Sequence, residues 1–157
     1  MSKLTDYGTL ILAHLSGTGD ELQTAADIAG RTGLGVPTAS KLLKILGKAG
    51  LVTSVRGSHG GYQLARSADQ ISAAEVIDAL EGPVAITVCS NGVGNCEIES
   101  LCLVGSAWQR INVAIRRALK DVSLAQLTVT TGTDYPLIDL TSAVRPEEQH
   151  LGKDGSH

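Results

Sequence analysis

The chain contains no phenylalanine, and of the other large aromatics it has one Trp and three Tyr. A core built from it must therefore be aliphatic, made of Leu, Ile, Val and Ala. No apolar run approaches the ~20 residues that a membrane-spanning helix requires. The opening Met1-Ser2-Lys3-Leu4-Thr5-Asp6 lacks the charged and apolar regions of a signal peptide. A cytoplasmic protein without a membrane partner is expected. Also missing are a nucleophile–base arrangement, a phosphate loop leading into a helix, and paired carboxylates in an obvious cleft. Neither an enzyme nor a small-molecule substrate is expected. No internal repeat is visible.

At 157 residues the chain suits one domain, or a small domain with an oligomerisation arm. A hydrophobic content of 43% with 18% charged residues is that of an ordinary soluble globular protein. The net charge of −3 argues against a nucleic-acid partner until it is divided along the chain. Residues 1–66 hold seven basic side chains (Lys3, Arg31, Lys41, Lys44, Lys48, Arg56, Arg66) against Asp6, Asp20, Glu21 and Asp27, a net +3. The remainder holds six basic and twelve acidic residues, a net −6. A basic head on an acidic body keeps attraction to a polyanion local.

The apolar period supplies the element order. Leu4, Tyr7, Ile11, Leu12 and Leu15 predict a first helix over about Thr5 to Ser16, stopped by Gly17-Thr18-Gly19. Thr24 and Asp27 form a capping pattern that opens a short second helix. Gly33 and Gly35 end it, and Pro37 suits the first residue of a third helix, where a missing N–H costs nothing. That third helix places Ala39, Leu42, Leu43, Leu46 and Ala49 on one face and Thr38, Ser40, Lys41, Lys44 and Lys48 on the other. Leu51–Val55 and Tyr62–Ala65 have strand composition, and the tip between them is glycine-rich. Helix, turn, helix and hairpin in this order predict a winged helix-turn-helix.

Further along, Ser72-Ala73-Ala74-Glu75 is a capping box for a helix to about Glu81, closed by Gly82-Pro83. Residues 84–96 read as a loop, and 97–103 as a helical turn. Val104 to Asp121 reads as a long helix whose stripe is Ala107, Trp108, Ile111, Ala114, Ile115, Ala118 and Leu119. It is longer than a small head needs and is taken as a dimerisation helix. A last short turn is expected over Ser123–Leu127, and a disordered tail from about Ser142. The fold class is mainly α with a small β-hairpin. Its expected parts are a winged head (1–82), a cysteine segment (83–103), a dimerisation helix and short turn (104–130) and a tail (131–157).

Two constellations carry chemistry. On the third helix Lys41 and Lys44 suit phosphates, while Thr38 and Ser40 can approach base edges. On the hairpin tip, Arg56-Gly57-Ser58-His59-Gly60 offers a guanidinium with few side chains around it, a shape that a narrow minor groove admits. The plainer reading is a tight hairpin that needs glycine for its turn. A turn alone would need fewer glycines and does not explain the arginine. His59 is read as a phosphate contact or an exposed imidazole rather than a metal ligand. Double-stranded DNA is the expected partner.

The second constellation is Cys89-x₆-Cys96-x₅-Cys102, the whole cysteine complement within fourteen positions. In a reducing compartment, an odd count of three is not a disulfide framework. Structural zinc generally uses CxxC knuckles, which are absent. An iron–sulfur cluster takes thiolates from a looser loop, and Gly92 and Gly94 allow the sulfurs to converge. A metal-free thiol switch and three unrelated buried cysteines remain alternatives. Three thiolates leave one position for a carboxylate, an imidazole or an exogenous ligand.

These residues resemble those of the Rrf-type winged-helix regulators, the bacterial family with the IscR-, NsrR- and SufR-like iron–sulfur sensors. The likeness spans roughly residues 2–130. It rests on Lys3-Leu4-Thr5-Asp6-Tyr7, on Lys48 through Gly57 with Gly60-Gly61-Tyr62, and on the three cysteines. The opening and the cysteine spacing are most similar to the branch that regulates the SUF cluster-assembly operon.

The resemblance implies a homodimer on a near-palindromic operator, a [2Fe–2S] or [4Fe–4S] cluster on Cys89, Cys96 and Cys102, and repression set by cluster state. In IscR-like members a histidine three residues after the last cysteine completes the cluster; here that residue is Gly105. In NsrR-like members an aspartate from the partner's N-terminal helix does so, and Asp6 matches it. The resemblance thus implies Asp6 as fourth ligand, its plainer role being a helix N-terminal acid. Alternatives are a nitric oxide sensor on the same cluster, and a thiol-based or cluster-free regulator controlled by a protein partner.

Overall fold

The computed structural model describes residues 2–84 and 105–129. Helices α1 (Lys3–Gly17), α2 (Ala25–Thr32) and α3 (Val36–Lys48) are followed by strands β1 (Val52–Val55) and β2 (Gly61–Leu64). A 3₁₀ turn (Ala68–Gln70), α4 (Ala73–Glu81), α5 (Gly105–Asp121) and α6 (Leu124–Thr128) complete the described chain. The strands pair antiparallel in the register Val52↔Leu64 to Val55↔Gly61. The fold is mainly helical with one hairpin, as the element order predicts. Two helix starts differ by a residue or two from the apolar period. Ser2 caps α1 by accepting the Leu4 N–H at 3.2 Å, so α1 begins at Lys3 rather than Thr5. Val36 is the first residue of α3 and Pro37 the second, still within the turn whose amides have no intrahelical partner.

The core is aliphatic, as the missing phenylalanine requires. Ile11, Leu12 and Leu15 of α1 meet Ile28 of α2, Leu42, Leu43 and Leu46 of α3, and Val76 and Leu80 of α4. Gly8 lets α1 and α4 close up: a Cβ there would lie 2.5 Å from a Leu80 methyl. Helices α2, α4 and α6 each open with a complete capping box, by Thr24/Asp27, Ser72/Glu75 and Ser123/Gln126. The first two were legible as sequence patterns.

At 17 residues α5 is about 26 Å long. It packs on α4. Arg116 donates to Asp78 at 2.8 and 3.1 Å, and Asn112 is buried. The expected stripe is divided: Ala107, Ala114, Ile115, Ala118 and Leu119 are half-buried, whereas Trp108 and Ile111 stay 37% and 44% exposed. The chain then turns back. The Leu124 N–H donates to the Ile71 carbonyl at 2.7 Å, the Ala73 N–H donates to the Val122 carbonyl at 2.8 Å, and Leu124 is wholly buried in the head core. The short turn read at 123–127 is therefore a staple that fastens the end of α5 to the head. The expected loop, the three cysteines and the tail lie outside the described residues.

This staple has a measurable energy. Leu124→Ala should cost about 2–5 kcal/mol, the usual range for a leucine truncated in a closed core. Urea unfolding checks it; a loss under about 1 kcal/mol would mean that α6 is not part of the head core in solution.

Candidate nucleic-acid interface

Helix α2 is fixed at its start by Thr24. The Thr24 hydroxyl accepts the Asp27 N–H at 3.1 Å, and Asp27 accepts the Thr24 N–H at 3.2 Å. Hydrogen bonds from the Thr24 side chain and then its backbone hold the Asp27 carboxyl below the usual range. Gly33 ends α2 in the left-handed region at φ +72°, a conformation that glycine adopts without strain, and the chain enters α3 three residues later, at Val36.

Helix α3 buries Ala39, Leu42, Leu43 and Leu46, and leaves Thr38, Lys41, Lys44 and Lys48 exposed; Ser40 is half-buried. Its N-cap is Gly35, with no capping side chain, and its first turn carries no acid. The positive end of the helix dipole and its unpaired amides thus face outward uncompensated, which suits phosphate. Among the described residues the ion pairs are Arg66–Glu75 and Arg116–Asp78. Lys41, Lys44, Lys48 and Arg56 have no acidic partner there, and their charge is available to a polyanion.

The hairpin leaves α3 directly: the Leu51 N–H donates to the Leu46 carbonyl at 3.0 Å, and β1 starts at the next residue. Arg56, Gly57, Ser58 and His59 are exposed at its tip, and Gly60 is half-buried. Gly57 has φ +126°, which favours glycine. A Cβ on Gly60 would strike the carbonyl oxygen of Val55. On Gly61 it would come within 2.8–3.0 Å of the Gln23 backbone. The hairpin alone therefore needs its glycines, contrary to the expectation that a turn would need fewer. All three have local reasons in the turn and its packing, and only the arginine is left for a ligand to explain.

The close approach at Gly61 serves a brace that the sequence reading missed. Gln23 N–H donates to the Tyr62 carbonyl at 3.0 Å, and Tyr62 N–H donates to the Gln23 carbonyl at 2.8 Å. The residue before the α2 cap is thereby paired with the outer edge of the wing. A glycine inside a strand often marks such an approach of another backbone, so the signal was present.

Asp6 lies exposed in the first turn of α1, and its carboxylate makes no hydrogen bond or ion pair among the described residues. One residue earlier, Thr5 is buried and donates its hydroxyl to Glu81. Glu81 also accepts the Ser2 N–H at 2.9 Å and the Ser2 hydroxyl at 3.0 Å. This clasp joins the start of α1 to the end of α4, which leads into the cysteine segment. Nothing in the sequence distinguished Glu81 from a solvated helix-end acid. The hydrogen bonds from Thr5 and then Ser2 lower its carboxyl from 4.5 to about 2.

A carboxyl that is more acidic when folded stabilises the fold above its unfolded value and loses that contribution as pH falls toward the folded one. The Glu81 clasp should therefore be complete above about pH 4.5 and lost as pH approaches 2. A ¹³C titration should place the Glu81 midpoint near 2, and Glu81→Gln should flatten that part of the stability–pH curve. A midpoint at 4.5 would mean that the clasp is open in solution.

Three comparisons bear on this geometry. The family model Rrf2, described as an iron-dependent transcriptional regulator, matches residues 1–130. The chain is 38% identical to the protein rrf2 of Nitratidesulfovibrio vulgaris over 122 residues, 77% of this chain and 81% of that one. It is also 38% identical to the regulator IscR of Vibrio cholerae over 102 residues, 65% of this chain and 58% of IscR. Among solved structures it is similar to CymR, the global cysteine regulator of B. subtilis, with TM-score 0.63 and 30% identity over 83% of this chain and 97% of that one. It is likewise similar to IscR of T. potens, with TM-score 0.60 and 30% identity over 81% and 84%. The uncompensated cations, the wing and these likenesses agree: the chain belongs to the Rrf2 family of winged-helix DNA-binding transcriptional regulators, not to the enzymes.

Proposed function

We propose that this regulator is a homodimer that grips a near-palindromic operator with two winged heads and senses its signal at Cys89, Cys96 and Cys102. The observation that carries this reading is position. All three cysteines fall between α4, clasped through Glu81 to the start of α1, and α5, which leaves Trp108 and Ile111 exposed. A change in that segment acts on both the head and the dimer arm. In each head α3 would enter the major groove, with Lys41 and Lys44 on phosphates and Thr38 and Ser40 near base edges. Arg56, flanked by Gly57, Ser58, His59 and Gly60, would enter the adjoining minor groove.

The donor set suits an iron–sulfur cluster: three thiols from one short segment, and an exposed Asp6 carboxylate uncommitted to any described neighbour. The three cysteines would hold a [2Fe–2S] or [4Fe–4S] cluster, with Asp6 of the partner subunit as fourth ligand. When bound, the group would supply iron–sulfur bonds sensitive to iron, oxidants or nitric oxide. Asp6 would then join one head to the other subunit's arm. A difference of ~1.4 kcal/mol between two head spacings is enough for a tenfold change in operator affinity. On this reading the protein represses cluster-assembly (SUF-type) genes, and nitric oxide is the competing signal on the same cluster. Gly105 stands where a histidine ligand would be expected, and the solved structures of CymR and of T. potens IscR are each 30% identical to the chain. Those two facts favour, as a second reading, a thiol regulator without a cluster, its arm docked on a protein partner.

Anaerobically purified protein should be brown, with iron and sulfide in comparable amounts, and Cys96→Ala should lose the visible absorbance. A colourless protein with stoichiometric zinc would remove the cluster. Arg56→Ala should weaken operator binding at least tenfold and relax the preference for an A·T-rich minor-groove step. Lys44→Ala should lower the salt slope by about one unit per half-site. An unchanged slope would take Lys44 off the phosphates.

A further inference from the structure

The composition of α3 poses a problem for a helix that selects a sequence. Between Val36 and Lys48 it contains no Arg, Asn or Gln, which leaves lysine as its only side chain able to read a purine through paired hydrogen bonds. Its three lysines are point charges, and Ser40 is half-buried. Yet the first turn, the part of a recognition helix that meets base edges, presents Val36, Pro37 and Thr38, all exposed. Val36 is 49% exposed, the one large apolar side chain on this helix left so open. Gly35 in front of it has no side chain to cover it. The turn carries no carboxylate, amide or guanidinium, and its sole side-chain hydrogen-bonding group is the Thr38 hydroxyl. Apolar contact in the major groove distinguishes one base above all, because thymine alone presents a methyl group there.

We propose that Val36 is a specificity-determining residue that reads a thymine 5-methyl group in each half-site, with the Pro37 ring and the Thr38 methyl as the rest of an apolar tip. The inference rests on α3 being the major-groove reader. It accounts for an exposed valine at the entrance of a cationic helix. It also adds methyl packing to the sequence preference of α3, beside the hydroxyls of Thr38 and Ser40.

The test begins with selection of an operator from a random duplex pool by the full-length, anaerobically purified protein. Each thymine of the selected half-site is then replaced by uracil, which removes the methyl and nothing else. At one thymine position the unmodified protein should lose about fourfold per half-site, or ~0.8 kcal/mol for one buried methyl-sized group. The loss should be about fifteenfold when both half-sites are changed. Val36→Ala should lose most of the preference for thymine over uracil. Three results would overturn the assignment: a selected half-site without thymine, indifference of the unmodified protein to uracil at every position, or a Val36→Ala protein that keeps the preference for thymine. The uracil series on unmodified protein does not depend on any variant folding. Failure to select any operator would instead overturn the DNA-binding reading on which the assignment rests.

Discussion

Two backbone hydrogen bonds between Gln23 and Tyr62 fix the geometry on which DNA reading depends. Gln23 precedes the Thr24 cap of α2, and Tyr62 lies in β2, whose other edge pairs with β1. The pair therefore sets helix-turn-helix and wing in one frame. A two-stranded hairpin is marginal in water by itself, and the brace adds main-chain support to the packing of Leu51 and Val52 in the head core. The brace also explains Gly61: no other residue lets the two backbones come so close. A winged head must present two contact elements at a fixed separation, and here the separation is held by this main-chain pair together with the packing of Leu51, Val52, Tyr62 and Leu64 on the head core.

Behind this frame, the aliphatic core binds α1 to each of the helices that carry function. Its members from α3 orient the cationic face outward, and those from α4 carry the strand of chain that leads to the cysteines. Leu124 brings the end of α5 back into the same core. Helix α5 is thus rooted in the head at two places, through α4 by the Arg116–Asp78 ion pair and through α6 by Leu124. The Glu81 clasp adds a third tie, between the start of α1 beside Asp6 and the end of α4.

Much of this was legible from residue pattern because local preference and burial agree. The α3 period, the Thr24 and Ser72 capping boxes and the strand–tip–strand composition each predict the element that forms. What escaped was non-local. The reason for Gly61 lies in Gln23, thirty-eight positions earlier, and the partners of Glu81 lie at the opposite end of the head. Leu124 reads as part of a minor turn because its burial depends on Ile71 and α1, which a short window does not contain. At the candidate interface, Thr38, Lys41, Lys44 and Arg56 were named from exposed polarity and are exposed. Val36 was overlooked because an apolar residue at a helix start reads as core until its exposure is known.

We propose that the state of Cys89, Cys96 and Cys102, which lie in the chain between α4 and α5, sets operator affinity. The direct measurement is operator affinity under anaerobic conditions for the untreated protein and for Cys89→Ala/Cys96→Ala/Cys102→Ala, both shown to be folded dimers. At least a tenfold difference, in either direction, is the expected result. Equal affinities, with regulation in cells unimpaired, would contradict it and leave a DNA clamp governed by something other than sulfur.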